Sequence, residues 1–143
     1  MPSFEIIATL PASPSASWAF VVDHGPDIEP LTFTPRGTQG PGVLNDLAGR
    51  MFGIIPIRGV SRTLVWKPPL RCVFESVKPA WPVRTLITES FEPEGVGTRH
   101  CIHYDVAPVG LVGCVAAPLV SKMMKRSRAQ YQMRLRAALS EHG

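Results

Sequence analysis

Two alternating runs in the second half of the chain carry the side chains best suited to moving protons. Over residues 83–91, the two-residue period of an extended strand puts Thr85, Ile87, Glu89 and Phe91 on one face, with Thr88, Ser90 and Glu92 outside. Over residues 98–106 it puts His100, Ile102, Tyr104 and Val106 together, and Cys101, His103 and Asp105 on the opposite face. The set containing Ile102 is expected to point inward. Glu89 then sits among Ile87, Phe91 and Ile102, where desolvation favours the neutral carboxyl and suits it to general acid or base work, with His100 and Tyr104 as partners. Plainer readings stand beside this one. Glu89 pairs with a cation such as Arg84 or Arg134, or a one-residue change of parity turns it to solvent. His100 lies near a hairpin mouth, partly wet, and Tyr104 and Tyr131 pack in the core with their hydroxyls bonded to neighbours.

Other chemistries find less support. Cys72, Cys101 and Cys114 are odd in number and lack C-x-x-C spacing, which points to reduced thiols in a cytosolic compartment. His100, Cys101 and His103 are adjacent in sequence, but alternation separates His100 from the other two, so no metal site is expected. No Ser-His-Asp order, glycine-rich phosphate loop or H-E-x-x-H motif is present, and no cofactor is implied.

The elements that must position these residues follow from pattern and punctuation. With 143 residues, 45% of them hydrophobic and 18% charged, the chain reads as one domain (residues 1–143) able to bury a real core, and its 15 prolines imply frequent loops. Residues 3–10 read as a strand, and Ser13-Pro14 as an N-cap followed by proline in the first helical turn. A short helix is expected over residues 14–23, burying Trp18, Val21 and Val22 until His24-Gly25-Pro26 stops it, with a turn or brief second helix at 27–30. LTFTPRG is a strand and GTQGPG a turn-forming loop. Residues 43–55 read as one long strand in which Gly49 and Gly53 suggest bulges. Strands follow over 59–66, 71–77, 83–91 and 98–106, with Pro68-Pro69 turning the chain, Pro79 and Pro82 bracketing a loop, and residues 92–97 joining the last hairpin.

The last thirty residues form a long amphipathic helix, expected over about residues 117–139 with Pro118 in its first turn. Its apolar arc holds Val120, Met123, Met124, Ser127, Tyr131, Leu135, Ala138 and Leu139, and Lys122, Lys125, Arg128, Gln132 and Arg136 are expected opposite or along its edges. The net charge of +4 and pI near 9.3 come largely from this helix. Its basic face is read as solvated, with an anionic lipid surface as the sharper alternative; only Tyr131 interleaves the cations, which argues against nucleic acid. No signal peptide or spanning helix is visible, so a cytoplasmic location is expected.

Helices at the two ends and a meander of six or seven antiparallel strands between them make an α+β arrangement, a curved sheet wrapped around the long helix. In order and spacing, PASPSASWAFVVD, LTFTPRG, RGVSRTLVWKPPLRCVFESV, FEPEGVGTRHCIHYDVAPVG with its Gly97-Thr98, and the basic helix after Pro118 resemble the START-like, Bet v 1-like superfamily. Within it the chain is most similar to bacterial proteins of the polyketide cyclase/dehydrase and lipid-transport group. PRGTQGPGVLNDLAGRMFGIIP departs from the family pattern. The resemblance implies the helix-grip fold and a cavity between sheet and C-terminal helix that binds a lipid, sterol or polyketide-like molecule. Phe74, Ile87, Glu89, Phe91, His100, Ile102 and Tyr104 from the sheet, with Val120, Met123, Met124, Ser127 and Tyr131 from the helix, would line it. Alternatives are a cyclase or dehydratase using Glu89, His100 and Tyr104, and an interaction module using the basic helix face.

Overall fold

The chain leaves its first strand, β1 (Ser3–Leu10), through a turn that Ser13 closes by accepting a hydrogen bond from the Ala16 amide at 3.2 Å, and enters helix α1 (Pro14–Ile28). The computed structural model describes residues 3–28, 31–51, 55–78 and 83–142. Six further strands follow: β2 (Leu31–Pro35), β3 (Leu44–Met51), β4 (Ile55–Lys67), β5 (Arg71–Lys78), β6 (Val83–Glu94) and β7 (Gly97–Pro108). Helix α2 (Gly110–His142) ends the described chain. The strands form one seven-stranded antiparallel sheet in the order β1-β7-β6-β5-β4-β3-β2, with α2 against β1 and β7 and α1 beside α2 and β6. This is the helix-grip arrangement.

Several element boundaries differ from expectation. Helix α1 runs through His24-Gly25-Pro26 to Ile28, because the single backbone bond that Pro26 removes falls in the last turns. Val22, expected inside, is exposed on it. Residues 43–55 are not one strand: β3 ends at Met51 and pairs back with β4 from Ile55, placing Gly53 outside the described residues, as is the loop bracketed by Pro79 and Pro82. The bulges lie instead in β4, between Val60 and Ser61 and between Thr63 and Val65, where they bend the sheet. The last hairpin needs only the two residues Gly95 and Val96, Gly95 taking φ +59°.

The largest boundary change is in α2, which starts at Gly110 and carries Pro118 in its interior. Proline there removes the bond to the Cys114 carbonyl, and Cys114 is exposed, so water can serve that carbonyl. The helix is also turned about its axis. Its buried side chains are Ala117, Val120, Ser121, Arg128, Tyr131, Gln132, Leu135 and Leu139, an arc rotated by about 50° from the expected one. Arg128 and Gln132 therefore face the sheet, while Met123 and Ser127 fall to the edge of the contact.

The core joins Leu10 and Trp18 to Phe91, Ile102, Tyr104 and Val106 of the last hairpin and to Tyr131, Leu135 and Leu139 of α2. A close backbone approach and a hydrogen bond pin its margins. A Cβ on Gly97 would lie 2.4 Å from the Leu10 carbonyl oxygen, so only glycine lets β7 start this close to the end of β1. Thr98 beside it donates its hydroxyl to the Ala12 carbonyl at 2.7 Å, fixing the exit from β1 into α1. Leu135 is fully buried, and Leu135→Asp should lower unfolding stability by about 3 kcal/mol or more through a buried charge, read as a clear drop in thermal midpoint.

Candidate functional site

Cross-strand register assembles the polar residues of the inner face. Phe91 pairs with His100, Glu89 with Ile102 and Ile87 with Tyr104, which sets Glu89 diagonally between His100 and Tyr104. Glu89 pairs with neither Arg84 nor Arg134: its Oε1 lies 2.7 Å from His100 Nε2. His100 is fully buried, its ring tilted against Phe91 at 4.7 Å between centroids. On its other side, Gln132 Nε2 lies 3.2 Å from His100 Nδ1, 3.2 Å from the Ile6 carbonyl and 3.3 Å from the His100 carbonyl.

These contacts favour one tautomer. Two carbonyl oxygens beside Gln132 Nε2 identify that atom as the amide nitrogen, which only donates. A donor group facing Nδ1 favours the neutral ring that carries its proton on Nε2 and donates it to Glu89. The partner of the Glu89 carboxyl is thus an imidazole, which a helix residue holds in turn.

One helical turn away, Arg128 is buried and its Nε donates to the Tyr104 hydroxyl. Its guanidinium also lies over the Tyr104 and Tyr131 rings, 5.6 and 5.7 Å from their centroids, and Phe4 on β1 stacks on Tyr104 with 4.9 Å between centroids. A buried guanidinium requires such partners.

Next to this polar cluster is a cavity of about 400 Å³. Phe74, Ile87, Glu89, Phe91, Ile102 and Tyr104 line it. His100, Val120, Met123, Met124, Ser127 and Tyr131 do not, so the cavity lies chiefly between the sheet and α1, and Arg128 is what α2 contributes. Val120 and Tyr131 are instead buried in the core. The lining residues that sequence reasoning did not assign include Val21 and Val22 on α1, Thr34 and Pro35 on β2, and Gln39 and Trp66. Trp18 closes one end edge-on to Trp66 and Phe91, at 4.9 and 5.4 Å between centroids. Gln39 is fixed by donating to Asn45 at 2.9 Å and accepting from the Thr63 hydroxyl at 2.7 Å, both partners being fully buried.

Cys101 and His103 face away from this site. Burial pushes the Cys101 thiol up, with the Glu5 carboxylate adding to the effect, and His103 lies between Glu5 at 3.3 Å and Asp105 at 3.1 Å. The helix periodicity held the signal for Arg128 and Gln132: an arc centred on Ala117, Met124 and Leu135 includes both, once polarity alone is not used to place them outside.

No protein-family model and no curated protein sequence matches the chain. Solved structures do. TTHA0849 from Thermus thermophilus superposes with a TM-score of 0.79 at 19% identity over 99% of each chain. The Zhui aromatase/cyclase from Streptomyces sp. R1128 gives 0.71 at 16% identity, over 98% of this chain and 92% of that one. Ara h 8.0201 gives 0.62 at 13% identity, over 92% and 96%. The likeness shows a shared fold, the Bet v 1-like helix-grip fold.

The linked side chains Glu89, His100 and Gln132 make a sharp prediction. Imidazole ¹⁵N NMR should report His100 as the Nε2–H tautomer, and Gln132→Met should lower stability by about 1–3 kcal/mol by leaving buried acceptors without their donor. Loss of the single tautomer in that variant would accompany it.

Proposed function

We propose that the protein binds a hydrophobic small molecule, of lipid, sterol or polyketide-like character, in the cavity between the sheet and α1, and that binding or transport ranks above catalysis. The observation that carries this reading is the composition of the cavity wall. Trp18, Trp66, Phe74, Ile87, Phe91 and Ile102 surround about 400 Å³, a volume within the usual range of ligand pockets, ~300 to 1,000 Å³. The aromatic rings of Trp18, Trp66, Phe74, Phe91 and Tyr104 are part of that wall, and their rigid faces favour a ligand with planar or ring-like parts. Glu89 and Arg128 give the wall one acceptor and one cationic donor, which would orient the ligand's polar end.

A second reading is supported by the Glu89–His100 pair. A carboxyl group facing a largely apolar cavity and backed by an imidazole is a suitable general base for a cyclase or dehydratase, with Tyr104 alongside. In that case His100 would be a positioning residue, since it lies behind Glu89 and does not reach the cavity. The solved structure named as an aromatase/cyclase has the same fold, which makes this reading worth testing alongside the first.

An environment-sensitive apolar dye should bind the native protein with increased fluorescence. Val21→Trp, which fills the cavity from the α1 side, should reduce that binding at least about tenfold while the thermal midpoint stays close to native. Glu89→Gln should leave binding within a few-fold if the protein is a carrier. For a cyclase, the same change would abolish turnover of a polyketide-like substrate while the substrate still bound. Dye binding unaffected by Val21→Trp would remove the cavity as the site.

A further inference from the structure

Over its first three turns, α2 wears its apolar residues on the outside. Leu111 is 87% exposed, Val112 56%, Val115 85% and Leu119 57%. At 100° per residue these four span an arc of about 100°, a continuous outward strip. The same arc continues into Lys122 and Arg126, with Lys125 at its edge, all three exposed. The helix has no acidic residue before Glu141.

We propose that this face of α2 docks on an anionic lipid bilayer, with Leu111, Val112, Val115 and Leu119 entering the headgroup boundary and Lys122, Lys125 and Arg126 meeting lipid phosphates. Short apolar residues beside a cationic patch on one helical face give the two forces that hold a protein on such a surface. No helix among the described residues is long and apolar enough to cross a membrane, so the contact is a surface one. The strip has only aliphatic side chains, without the tryptophan, tyrosine or arginine anchors that concentrate energy at protein interfaces. A second copy of the chain fits it poorly. Two-fold pairing centred on Val115 would set Lys122 and Arg126 of each copy against the positive N-terminal end of the other helix. Charge complementarity therefore selects phosphate. The surface is separate from the cavity wall, so this inference stands whichever ligand the cavity takes.

Vesicle flotation with the full chain tests it, comparing phosphatidylcholine alone with phosphatidylcholine containing a one-third share of phosphatidylglycerol. Binding should require the anionic lipid and weaken with added salt. The triple variant Lys122→Gln, Lys125→Gln, Arg126→Gln should lose roughly a hundredfold in partitioning, at about fivefold per cation. Leu111→Ser with Val115→Ser should lose about tenfold or more, with unchanged circular dichroism and thermal midpoint because both side chains are exposed. Absence of binding, equal binding to both vesicle types, or native binding by the triple variant would overturn the proposal. So would a concentration-dependent dimer in sedimentation that the paired serine substitutions dissolve, since a second copy would then occupy the face.

Discussion

An imidazole with no solvent contact must find partners for both ring nitrogens inside the protein, and His100 draws them from opposite layers. Nε2 meets Glu89 on the neighbouring strand, and Nδ1 meets Gln132 on α2. The same Gln132 amide reaches the Ile6 and His100 carbonyls, so one helix side chain ties α2 to β1 and β7 at once. Apolar packing alone tolerates sliding and rotation of a helix on a sheet, because dispersion is non-directional. Directional bonds do not. The rotation of α2 that buries Arg128 and Gln132 is thus the one that brings donors to the Tyr104 hydroxyl, the Ile6 carbonyl and His100 Nδ1.

That constraint also shapes the cavity. With α2 held down on β1 and β7, the space left over lies toward α1 and the curved middle strands, whose bulges carry them away from the helix. Trp18 and Trp66 define one end of that space, and the Gln39–Asn45–Thr63 cluster fixes the loop at its margin. Gly97 contributes from outside the cavity. By letting β7 approach the Leu10 carbonyl, it sets where the chain leaves β1 and therefore where α1 lies over the sheet.

Much of the fold was legible because strands and turns speak locally. Alternation placed His100, Ile102, Tyr104 and Val106 on one face, and the structure buries all four. The helix-grip topology followed from element order and from resemblance. What escaped the sequence was long-range. The division of residues 43–55 between β3 and β4 lacks strong punctuation in the sequence, since Gly49 and Gly53 suit bulges in one long strand equally well. Polarity alone puts Arg128 and Gln132 opposite the apolar arc or along its edges, and their partners on other elements, Tyr104 and His100, explain their burial. The shift of the cavity toward α1 depended on that same rotation, which removed Met123 and Met124 from its wall. Locating the cavity thus required the tertiary contacts, whereas locating the inner strand faces did not.

Helix α2 consequently reverses the ordinary amphipathic pattern at two places. Its inner face holds a guanidinium and an amide, and its outer face holds leucine and valine. Both departures oppose stability or solubility if considered alone, because a buried cation loses hydration and exposed aliphatic residues order water or attract other surfaces. The inner departure is offset within the fold by Tyr104, Tyr131, His100 and two backbone carbonyls. Nothing comparable covers the outer strip among the described residues. A protein whose core was built only for stability would have exchanged the two sets, placing the aliphatic side chains of residues 111–119 inside and the polar ones outside. The inner set instead gives the cavity wall its cationic group and holds its carboxylate in place, which apolar side chains could not do. The outer set is what remains for contact with a surface beyond the chain.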